Sequence, residues 1–108
     1  MDNIIVVKLV SGELLIGEDH SAQLGNGDLC LKNVASVGLV PNQQGGMSVM
    51  FQPVFLFKYA DQKFIEDELH IDIRNAIGWY PPIKALEDAY LEKRTGITVA
   101  KSIIAKPN

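Results

Sequence analysis

The chain has 108 residues, 47% of them hydrophobic, with 10 basic and 13 acidic side chains and a net charge of −3. That length and apolar content suit one domain around one core, and the acidic balance argues against a general polyanion binder. The single cysteine, Cys30, excludes an internal disulfide, and no apolar run approaches the ~20 residues that cross a bilayer.

From the amino terminus, residues 3–10 (NIIVVKLV) are β-branched and apolar on both faces apart from Lys8, the pattern of a strand covered on most of its surface. Ser11-Gly12 predicts a tight turn into a return strand over 13–20, with Leu14 and Ile16 on one face and Leu15 on the other. Gly17 lies inside that strand. Glycine there weakens a ladder, so it marks a bulge, a bend or a close backbone approach. Residues 21–28 (SAQLGNGD) read as a loop, 29–40 as a third strand ending at Pro41, and 42–46 as a second glycine-rich loop.

Residues 47–59 (MSVMFQPVFLFKY) form the most apolar stretch, read as a fourth strand with Pro53 marking a bulge or an edge. Leu69, Ile71 and Ile73 then alternate with His70 and Asp72, Arg74-Asn75 predicts a turn, and 76–80 a short last strand. Pro81-Pro82 changes the register. Ile83, Leu86, Ala89 and Tyr90 share one face of a helix closed by Lys93, Arg94 and Gly96. The tail over 97–108 reads equally as a further short strand or an arm.

These elements predict a mainly β domain: a strongly bent, five-stranded antiparallel barrel over 1–80, a helix over 81–96 and a tail. Too few strands are present for two well-covered sheets, so one bent sheet closing on itself is the economical arrangement.

Two stretches carry a family resemblance. Val7-Lys8-Leu9, Gly12, Leu15 and Gly17 match the first Sm motif in order and spacing, and Leu69-His70-Ile71-Asp72-Ile73-Arg74-Asn75-Ala76-Ile77 resembles the second. Over residues 4–80 the chain is thus similar to the Sm-like (LSm and Hfq) proteins. With a carboxy-terminal helix it most resembles short Sm-like proteins of phage or marine-microbial type. It departs from the pattern in carrying Asn75 where the motif has Gly, in matching Asn26 to the base-holding Asn only with a one-residue shift, and in placing the helix after the barrel.

The resemblance implies a cyclic homo-oligomer in which neighbouring copies pair their sheet edges, and single-stranded RNA held at the pore by Asn26, Arg74 and Asn75. Multiplication of a modest contact around a ring supports such binding. A ring also answers two features of the residues themselves, namely unpaired sheet edges and apolar side chains on both faces of the fourth strand. The expected interface comprises Met47, Val49, Phe51, Val54, Phe55 and Phe57, with Ile77 and Trp79. The alternative is that the carboxy-terminal helix covers that apolar surplus.

Against RNA, residues 1–80 hold five basic side chains (Lys8, Lys32, Lys58, Lys63, Arg74) and ten acidic ones, a field that repels phosphate. A protein-assembly module with no nucleic-acid task is therefore the competing function. Catalytic and metal chemistry find no support in linear spacing. His20 and His70 stand 50 positions apart, Cys30 between two leucines reads as a reduced structural thiol, and Glu66-Asp67-Glu68 as a solvated face. No serine lies in a nucleophile elbow, and neither glycine-rich loop has a phosphate-binding ending. Trp79-Tyr80-Pro81-Pro82 reads as the hinge that packs the helix. A non-enzymatic cytoplasmic protein without cofactor or membrane partner, bacterial or from a phage-infected cell, is the expectation.

Overall fold

The computed structural model describes residues 3–55, 58, 65–95 and 102–104. One antiparallel sheet holds seven strands: β1 Ile4–Leu9, β2 Leu14–Asp19, β3 Leu29–Pro41, β4 Met47–Gln52, β5 Glu66–Ile71, β6 Ala76–Tyr80 and β7 Ser102–Ile104. Among the described residues one α-helix, α1, spans Lys84–Thr95. The order across the sheet is β6-β1-β2-β3-β4-β7, with β5 also on β3.

β3 is the spine. Its 13 residues reach about 40 Å, long enough for one edge to take two partners in succession. β5 pairs along Leu29 to Val34 and β4 along Ser36 to Pro41, while β2 runs along the other edge. The sheet is open rather than closed. Among the described residues no pairing joins β6 at one end to β4, β5 or β7.

The predicted fourth strand is shorter than its apolar run. It stops at Gln52, because Pro53 has no N–H to donate to the ladder. Val54 and Phe55 lie beyond the strand, and the rest of the expected segment to Tyr59 falls outside the described residues apart from Lys58. β5 likewise ends at Ile71, and Ile73 belongs to a 3-10 turn (Ile73–Asn75) that leads into β6. The tail contributes β7, paired to β4.

Both sheet faces are buried, as the apolar character of residues 3–10 requires. On the inner face Ile5, Val7, Leu15, Leu29, Leu31, Val34 and Ile71 form a cluster with no helix residue in it. On the outer face Ile4, Val6, Ile16, Ala35 and Phe51 meet Tyr90, flanked by Leu86, Ala89 and Leu91. Alternate residues of β1 thus serve two clusters, the period-2 geometry of a strand. Ile83, expected on the buried helical face, precedes the helix and is exposed.

Gly17 sits where the β2–β3 ladder slips. Ile16 pairs Ala35 and Glu18 pairs Lys32, so β3 carries an extra residue opposite Gly17. Asn33 takes φ +53° there, a left-handed conformation that Asn tolerates better than most residues. The slip changes which residues of β3 face inward, from Leu29 and Leu31 to Val34. A Cβ on Gly17 would lie 3.1 Å from the Lys32 carbonyl oxygen and 3.3 Å from Leu31 Cβ and Val34 Cγ2. The glycine therefore marks a close approach of two backbones at a bulge.

Gly17→Ala is expected to destabilise the fold by about 1–3 kcal/mol, because backbone at the bulge must move. Gly78→Ala on β6, where an added Cβ meets nothing within 4 Å, should change stability by no more than about 0.5 kcal/mol. Urea denaturation of the two variants measures the contrast.

Candidate functional site

The residues expected to touch RNA come from two loops that the fold sets side by side. Asn26 lies in the exposed loop before β3, and its Oδ1 accepts from the Asp28 N–H at 3.0 Å. Asp28 Oδ1 in turn accepts from the Ile73 N–H at 3.0 Å, tying this loop to the 3-10 turn that carries Arg74 and Asn75. The Asn75 carbonyl accepts from the Val10 N–H at 2.8 Å, which anchors the same turn to the β1–β2 connection. Asp28 is thus the link between the expected residues, although the sequence pattern did not single it out.

The electrostatics of this junction are acidic. Arg74 is exposed, but its guanidinium is engaged by Asp72, with Nη2 at 2.6 Å from Oδ2 and Nε at 3.0 Å from Oδ1. Asp72 Oδ1 also accepts from the Arg74 N–H at 2.9 Å. The guanidinium hydrogen bonds hold the Asp72 carboxyl down at about 2, and the same pairing raises Arg74 further above its ordinary value. With Asp28 adjacent, the turn offers a phosphate one cation and two carboxylates.

A cavity of about 350 Å³ opens beside this turn. Leu9, Leu15, Val54, Leu69 and Ile71 of the inner-face cluster line it together with Phe55, and Glu13, Asp72 and Asn75 supply polar groups. It lies at the mouth of the unclosed sheet, between the β1–β2 connection and the end of β5.

The expected interface residues scatter. Phe51 is buried beneath the helix, its ring edge-on to Tyr90 with centroids 6.4 Å apart, and Val49 packs on the same cluster. For these two the helix absorbs the apolar surplus. Val54 packs on the inner cluster, Met47 is half-buried at a β4–β7 pairing, and Phe57 lies outside the described residues. Phe55, Ile77 and Trp79 reach the surface, joined by Leu39, Met50 and Tyr80. Trp79 and Tyr80 are thus exposed, where a packed hinge was expected.

A further grouping follows from strand register. Cys30 on β3 stands opposite His70 on β5, and Lys32 stands opposite Glu68. Donor atoms of Cys30, Glu68 and His70 all lie within 4.8 Å of one another. Cross-strand pairing, invisible in linear spacing, brings together a thiol, an imidazole and a carboxylate. No family model and no curated protein sequence matches the chain.

Titration of the Asp72 carboxyl by carbon-13 NMR should show a midpoint near 2, and Arg74→Gln should return it toward the ordinary value of 3.8. Since the folded value is depressed, the stabilising pair is complete above the unfolded value and is lost as pH falls through about 2. A wild-type midpoint near 4 contradicts the paired geometry.

Proposed function

We propose that the chain is a small Sm-like subunit that assembles with copies of itself through the outer border of β6. The observation that carries this reading is the character of that border. Among the described residues β6 pairs only with β1, at one end of the sheet, and there Ile77 is 63% exposed and Trp79 51%. A strand edge that also displays large apolar side chains invites another strand, and folded proteins cover or pair such edges.

The Sm motifs at residues 7–17 and 69–77 support the same reading, as does β6 lying beside β1 although far from it in sequence. The border of β4 is taken by β7, so the receiving strand on the next copy is β5, whose residues 68–71 pair only with β3 among the described residues. Joining two different borders makes a head-to-tail contact, which closes into a ring when the rotation allows. The task that follows is assembly, with the ring presenting repeated copies of the Asp28–Arg74 junction.

Single-stranded RNA at that junction is the second reading, and the Asp28–Ile73 hydrogen bond that unites Asn26 with Arg74 and Asn75 favours it. The pairing of Arg74 with Asp72 weighs against it, because phosphate must compete with a carboxylate already in place.

Sedimentation velocity is expected to show one discrete multi-subunit species. Ile77→Lys with Trp79→Glu should convert it to a folded monomer, with circular dichroism confirming the fold. A wild-type monomer at high concentration overturns the assembly reading. Fluorescence anisotropy with labelled oligoU and oligoA at low salt tests the second. Binding that weakens with salt and with Arg74→Ala supports RNA contact, and no binding at low salt rejects it.

A further inference from the structure

We propose that Cys30, Glu68 and His70 form a binding site for a zinc-class divalent metal ion on the outer face of the β3–β5 pair. Leu29, Leu31, Leu69 and Ile71 of the same strands face the inner cluster, so the alternate residues Cys30, Glu68 and His70 share the opposite face. His70 faces Cys30 directly across the ladder, and Glu68 is the next residue on that face of β5. The inference is independent of self-assembly.

The donor set is specific in its chemistry. A thiolate, an imidazole and a carboxylate are the ligands of four-coordinate zinc, and three protein ligands leave the fourth position to water. A soft thiolate disfavours magnesium and calcium, which take oxygen donors. The geometry is close to what such an ion needs. Ligands at ~2.0–2.3 Å from a tetrahedral centre stand roughly 3.5 Å apart. His70 Nε2 and Glu68 Oε2 are 3.0 Å apart, and the three donor atoms fall within 4.8 Å. Glu68 and His70 are exposed side chains on the strand surface, so small rotations let an ion enter between them.

The thiol supplies the second observation. Cys30 is 2% exposed, and among the described residues its Sγ has no hydrogen-bond partner while its donor atom lies in reach of the pair above it. A bound cation would hold this sulfur as the thiolate. Lys32, whose Nζ is 3.9 Å from Glu68 Oε1, is a competing cation for the carboxylate, and the ion must outbid it.

Titration of the whole chain with cobalt(II), read by absorbance, tests the site. One equivalent should produce a thiolate-to-cobalt charge-transfer band and the intense visible bands of a tetrahedral ion, and zinc should then displace it. Cys30→Ser should abolish the charge-transfer band. His70→Gln, at an exposed position where folding is not at stake, should weaken binding roughly tenfold or more. His20→Gln should leave the titration unchanged. No charge-transfer band, or a titration that survives His70→Gln and fails with His20→Gln, overturns the assignment.

Discussion

The carboxylate of Glu18 is the group on which the arrangement of sheet and helix depends. It is buried on the outer face of β2, where an uncompensated charge is costly. Two partners meet it there, with Asn33 Nδ2 donating to Oε2 and Arg94 Nη1 of α1 donating to the same oxygen. His20 Nε2 lies 3.6 Å from the other oxygen. Tyr90, one turn before Arg94, donates its hydroxyl to the Asn33 carbonyl. Both helix residues therefore act on the bulge opposite Gly17. Replacing Arg94 and Tyr90 while the helix stays in place would leave a buried carboxylate without its cation and a carbonyl at an irregular point of the ladder without its donor. The polar clasp sets where α1 lies, and the cluster around Phe51 and Tyr90 supplies the apolar burial.

This constraint explains why the sheet can remain open. A barrel buries its inner face by closing and leaves its outer face to solvent or a partner. Here the helix covers much of the outer face, and both faces of β1 and β2 are buried within one copy. Among the described residues β6 pairs only with β1, and its border carries exposed apolar side chains. On the proposed reading, self-assembly would draw on the edge of the sheet, through backbone hydrogen bonding joined to side-chain burial.

Elements governed by local pattern were legible in the sequence. β1 through β3 follow from β-branched and apolar runs bounded by turn and loop residues, the turn at Gly12 from its dipeptide, and the helix from 3.6-residue spacing after two prolines. Gly17 could be read as a backbone irregularity because a strand interior rarely selects glycine. Its partner could not: Asn33 reads as an ordinary polar residue until its left-handed conformation is seen. Glu18 likewise looks like the polar half of an alternation. The division of one β3 edge between β4 and β5 was hidden because it depends on how a 13-residue strand is shared in space. The candidate sites divide in the same way. Asn26, Arg74 and Asn75 were visible as residue types, whereas Asp28, which unites them, and Asp72, which occupies the guanidinium, emerge only from folded contacts.

The charge at the turn bears on function more than the number of its basic residues does. Arg74 is the one basic side chain of the turn, and it already makes a forked contact with a carboxylate two residues earlier. For a nucleic acid to use it, phosphate must replace a partner of like charge held at nearly fixed distance by the same 3-10 turn. Such a competition favours the resident carboxylate, which has no translational entropy to lose. Repetition around the proposed ring would multiply the carboxylates as well as the arginine, so multivalency alone would not reverse the sign of the field. A base could still be recognised at this place through Asn26 and Asn75, because amide groups read base edges without requiring a positive field. Contact with a nucleic acid would then depend on stacking and base hydrogen bonds, whereas the proposed assembly would depend on the apolar border of β6, which needs no cation.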